Sequence, residues 1–153
     1  MVVMTRWLDS DEQRTWRAFL SASRALMDTL DRELQRDAGM PHAYYEILVR
    51  LSESTGRQLR MSDLAEATGS SRSRLSHAVA RLEAAGWVRR EECPTDRRGQ
   101  VALLTDDGFA TLAAAAPGHV EGVRRHLFDA LSPAQVDQLR RISETLAEHL
   151  TRS

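Results

Sequence analysis

Three positions restrict this chain more than any others: Ala65, Gly69 and Leu75, spaced four and then six apart. A small side chain at the first lets two helices cross closely. A glycine at the second can take the left-handed conformation that a tight inter-helix turn requires. The leucine at the third plugs the second helix onto the first. The stretch therefore predicts a helix-turn-helix, with Ser62 as the N-cap of its first helix and Ser70 or Ser71 as that of its second. Along the second helix Leu75, Ala78, Val79 and Leu82 recur at helical spacing and form a buried stripe. That turns Arg72, Ser73, Arg74, Ser76, His77, Ala80 and Arg81 outward. A short, arginine-rich outer face presented by such a turn is shaped for the major groove of DNA. Ser62, Ser71, Arg72, Ser73, Arg74, Ser76 and His77 are the candidate contacts here, with Arg81 expected on phosphate.

Gly86 ends that helix, and residues 87–91 and 101–104 read as two short strands rich in β-formers. Between them lies the polar turn Cys93-Pro94-Thr95-Asp96-Arg97-Arg98-Gly99, punctuated by proline and glycine. Taken alone, a charged turn is only a solvated hairpin tip. Behind a helix-turn-helix it makes a wing, whose tip can enter the minor groove, where narrow A·T segments concentrate negative potential. Asp96, Arg97 and Arg98 join the candidate DNA-binding set, with Asp96 expected to hold an arginine in place.

At these residues the sequence resembles the MarR family of bacterial transcription regulators. The resemblance is carried by Arg81-Leu82-Glu83 to Gly86-Trp87-Val88-Arg89-Arg90, then Asp96-Arg97-Arg98, then Leu103-Leu104-Thr105 to Gly108. It implies a mainly α (α+β) fold, a winged helix-turn-helix with flanking N- and C-terminal dimerisation helices. It also implies an obligate homodimer that binds a palindromic, inverted-repeat operator, usually represses, and is often released by a small ligand or by oxidation. One domain over 1–153 is expected, with the winged core at 41–104 and dimerisation helices at 7–37 and 105–150. Arg98 matches the arginine of the family's D-x-R wing.

The net charge of −1 is unpromising for a DNA binder until it is divided along the chain. Residues 57–98 hold nine arginines against six acids, and the remainder twelve against sixteen, so positive charge gathers where DNA would touch. All 21 basic residues are arginine, which we attribute to genomic base composition. The lone cysteine excludes an internal disulfide framework and suits a reducing cytoplasm. No apolar run reaches membrane-spanning length, and Arg6, Asp9, Asp11 and Glu12 interrupt any signal-peptide core.

The flanks read as amphipathic helices. Ser10 and Gln13 suggest a capping box opening a helix with Trp16, Phe19, Leu20, Leu26, Met27, Leu30 and Leu34 on one face. Gly39 and Pro41 separate it from a helix carrying Tyr44, Tyr45, Ile47, Leu48 and Leu51. Thr105 caps a run through Phe109, Leu112, Val120, Val123 and Leu127, which Pro117-Gly118 is expected to kink or break. Ser132 and Gln135 signal a last helix with Val136, Leu139, Ile142, Leu146 and Leu150. Such helices either complete a monomeric core or interleave between two protomers, as the resemblance implies.

Other chemistry is sparse. The five histidines (His42, His77, His119, His126, His149) show no metal-ligand spacing, so no metal or cofactor is expected. No phosphate loop, nucleophile elbow or convergent catalytic set appears. Family effectors are often aromatic acids or lipophilic drugs; Trp16, Phe19, His42, Tyr44 and Tyr45 are the candidate ligand-binding residues, offering stacking faces and polar handles. Two alternatives to a DNA-binding, ligand-released regulator stand beside it. One is a winged helix used only for protein contact. The other is a redox-sensing regulator acting through Cys93, whose arginine neighbours would lower its pKa.

Overall fold

The computed structural model describes residues 4–152, the side chain of Arg97 excepted. Two compact units divide the chain, one formed by Asp31–Gly122 and the other by Met1–Leu30 with Val123–Ser153.

The element order in the central unit follows the helix-turn-helix expectation. The end of helix α1 (Ser10–Ala38) leads through Gly39, at φ +66°, into α2 (His42–Glu53). A three-residue strand β1 (Gln58–Arg60) precedes α3 (Met61–Thr68) and α4 (Arg72–Ala84). Strands β2 (Val88–Cys93) and β3 (Asp96–Leu104) follow, and then α5 (Asp106–Val123). The sheet is antiparallel in the order β1-β3-β2. β1 escaped the sequence reading because three residues are too few to show alternation.

Gly69 caps α3 in the left-handed conformation, φ +63°, while its N–H and that of Ser70 close the turn onto Glu66 and Ala65 carbonyls. Leu75, Val79 and Leu82 are buried as the stripe predicted, and pack in one cluster with Leu48, Leu51, Leu64 and Ala65. Ser71 caps α4, its hydroxyl accepting the Arg74 N–H at 3.2 Å. Ser62, by contrast, is not an N-cap. α3 starts one residue earlier, at Met61 directly after β1, so Ser62 sits within its first turn.

In the other unit the opening cap of α1 is displaced by one residue from the sequence reading. Asp9 Oδ1 accepts the Glu12 N–H at 2.8 Å and Glu12 Oε2 accepts the Asp9 N–H at 3.0 Å, a reciprocal box in place of Ser10 and Gln13. Both residues are good caps, and the pair with a carboxylate three residues on prevails. After a π-helical turn at Arg124–Phe128, α6 (Pro133–Thr151) opens with the expected box between Ser132 and Gln135.

α5 runs unbroken past Pro117. A proline removes one hydrogen bond and crowds the preceding turn, and here the flanking alanines 113–116, the strongest helix formers, carry the helix through.

Candidate nucleic-acid interface

The wing differs from a smooth loop. The turn is only Pro94-Thr95, since Cys93 already pairs with Asp96. Glu92 pairs with Gln100, so Arg97, Arg98 and Gly99 leave the ladder together as a bulge on β3. The bulge folds back tightly: a Cβ on Gly99 would lie 3.3 Å from Cys93 Cβ. Asp96 Oδ1 accepts the Arg98 backbone N–H at 3.0 Å, so Asp96 holds the arginine's main chain, where the sequence suggested a guanidinium. The side chain of Arg97 lies outside the described residues.

Wing and helix-turn-helix together frame an open cleft of about 450 Å³. Ser62, Arg72, Ser76, Asp96 and Arg98 from the sequence-derived set line it, joined by Arg60, Gly99 and Gln100. Three guanidinium-bearing residues, from β1, α4 and the wing, thus surround one concave surface. Arg60 carries no helix or wing motif, and only its place in the basic stretch hinted at it. Ser73, Arg74, His77 and Arg81 are exposed on α4 outside the cleft lining, and Ser71 is exposed at the helix start. Arg74 therefore projects from the first turn of α4 and Arg81 from the last.

Part of the motif turns out to hold the fold together. Arg90 donates to Glu83 Oε1 at 2.6 Å and to Ser76 Oγ at 3.4 Å, and its backbone N–H to Glu83 Oε2 at 3.3 Å. This half-buried ion pair locks the wing onto α4 and already engages Ser76. Thr105 donates its hydroxyl to the Gly86 carbonyl at 2.6 Å and accepts the Gly108 N–H at 3.0 Å, tying the end of α4 to the start of α5.

Cys93 is buried, and hydrogen bonding to Thr95, its Oγ1 3.4 Å from the thiol, holds the thiol below its ordinary pKa against the opposing effect of burial.

The sequence-derived ligand residues fall in separate units. Trp16 and Phe19 line a hollow of about 500 Å³ with Ile142 and Leu146 in the terminal unit. His42 and Tyr45 belong to the central unit, where both rings meet His119, a partner the sequence reading missed, at 5.4 and 4.5 Å. Tyr44 is half-buried against the core of that unit. His119 Nδ1 is buried without a hydrogen-bond partner. Burial, and then the neighbouring His42, push its pKa down.

A helix-turn-helix followed by a bulged two-stranded wing, with arginines lining the cleft between them, defines a winged helix-turn-helix protein. The MarR family model matches residues 38–99. A MarR family transcriptional regulator of Streptomyces coelicolor, solved in complex with DNA, superposes with a TM-score of 0.92 at 56% identity, covering 95% of this chain and 92% of that one. AbsC, a MarR family transcriptional regulator of the same organism, gives 0.91 at 48% identity over 97% of this chain and all (100%) of its own. The transcriptional repressor MprA of Escherichia coli is 30% identical over 112 residues, 73% of this chain but only 63% of MprA. This chain belongs to the MarR family of transcriptional regulators.

Proposed function

We propose that this chain is a sequence-specific DNA-binding regulator that acts as a homodimer on an inverted-repeat operator. The carrying observation is the cleft that sets Arg60, Arg72 and Arg98 on one concave surface beside the exposed face of α4. Bases are read through some of Arg72, Ser73, Arg74, Ser76 and His77, of which Ser76 also accepts from Arg90. Ser62, Ser71, Arg81 and Arg97 contact phosphate. Arg98 enters the minor groove, and Asp96 orients it through the backbone. The DNA complex of the Streptomyces coelicolor relative supports this reading. A repressing mode is supported by the likeness to MprA, named a transcriptional repressor. Release by a small aromatic or lipophilic ligand is what the family likeness suggests, with Trp16, Phe19, His42, Tyr44 and Tyr45 as the candidate contacts. The protein would then work in the cytoplasm.

The deciding experiment is selection of bound duplexes from a random DNA pool. An inverted repeat with half-sites about one helical turn apart is expected. No enrichment even at low salt, where phosphate contacts are strongest, would reject the reading in favour of a protein-contact module.

A further inference from the structure

β1 ends at Arg60, opposite Val101 on β3. Beyond that point the hairpin has no third strand among the described residues, and a two-stranded ribbon on its own is only marginally stable in water. The residues that would enter the groove, 93–99, lie on this unsupported part. Arg60, whose partner lies 35 residues away in sequence, reaches across and donates to Thr95 Oγ1 at 2.8 Å. Thr95 Oγ1 in turn lies 3.4 Å from Cys93 Sγ, against which Gly99 of the bulge is folded. A guanidinium carries five donors in a rigid fork, so one N–H on Thr95 leaves others facing the cleft.

We propose that Arg60 is a positioning residue for the wing: by clasping Thr95 it sets the stance of the bulge that carries Arg97 and Arg98, and so how the wing meets DNA. The proposal rests on the DNA-binding reading for its consequence but not for its geometry. A rigid tip keeps the wing arginine aimed at the groove before DNA arrives, which lowers the ordering cost of binding. Thr95→Val removes the acceptor while leaving the Arg60 charge in place. Loss of the clasp and loss of a cation are thereby separable.

Two measurements decide. In the free protein, tryptic cleavage after Arg97 or Arg98 is expected to quicken about three- to tenfold in both Arg60→Ala and Thr95→Val. The double variant should be no faster than either, and Arg60→Lys should restore slow cleavage. Unchanged cleavage in Thr95→Val overturns the proposal. On selected duplexes flanked by A·T or G·C pairs, both single variants should lose the wild-type preference between flanks, with the salt slope of Thr95→Val unaltered. If Arg60→Ala instead weakens both duplexes equally while Thr95→Val binds as wild type, Arg60 is only a phosphate contact and the proposal falls. Should the wild type bind no duplex at all, the DNA-binding reading fails, and the cleavage rates still decide the clasp.

Discussion

Gly108 shows how closely a single residue can govern this fold. A Cβ there would sit 2.0 Å from the Trp87 carbonyl oxygen and 2.8 Å from Leu104 Cδ1, so any side chain drives α5 away from the base of the wing. Gly108→Ala is expected to cost about 3 kcal/mol and lower the Tm by roughly 6–12 °C; a melting curve superimposable on the wild type would refute the clash. On α4 the test is discrimination. Arginine paired to guanine in the major groove is worth about 1–3 kcal/mol, so Arg74→Ala should weaken specific binding more than non-specific binding in competition titrations. Equal losses would reduce Arg74 to a phosphate contact. The sequence announced Gly69 plainly, because the helix-turn-helix spacing demands a left-handed residue there. Gly108 was visible only as a letter in a motif, since its reason is a carbonyl 21 residues earlier in the chain.

Among elements, the helices and the existence of the wing were legible, while the register within the wing was not. Helical stripes repeat within one segment, so Leu75, Val79 and Leu82 declare their burial locally. The bulge at residues 97–99 depends on which residue of β2 faces which residue of β3, and no local pattern encodes that choice. The same holds where the end of α1, α2 and α5 meet around His119. Burial with an unpartnered Nδ1 favours the neutral ring. The folded pKa thus lies below the unfolded value near 6.5, and the unfolded chain binds the proton more readily. Stability from this site is full above about pH 6.5 and is lost as pH falls through the depressed folded value. Denaturant midpoints of the wild type should therefore decline below that pH, and His119→Phe should flatten the part of the decline due to this ring. Parallel pH profiles for the two proteins would show that His119 does not titrate with folding.

For the molecule as a whole, the informative imbalance is between a central unit with a continuous core and terminal helices without one. α6 spans 19 residues with an apolar stripe, yet none of them is buried. Trp16, Phe19 and Ile142 are each more than half exposed, and Leu150 is 69% exposed. Exposed apolar faces of this extent mark an interface, and residues 7–37 and 109–150 are expected to build a large hydrophobic one between two protomers. Sedimentation at micromolar concentration should show a dimer, and a folded monomer would count heavily against it. Ile142→Arg is the sharper test, because at 58% exposure the substitution leaves the protomer's own packing intact. An unpaired guanidinium in an apolar interface should weaken dimerisation at least about a hundredfold. An inverted-repeat operator is read by two linked protomers, each on its own half-site. The variant should accordingly bind a full operator little better than a half-site, while wild type binds it far more tightly. If Ile142→Arg keeps the dimer and the full-site advantage, the C-terminal stripe lies outside the interface and the assembly is built elsewhere on the chain.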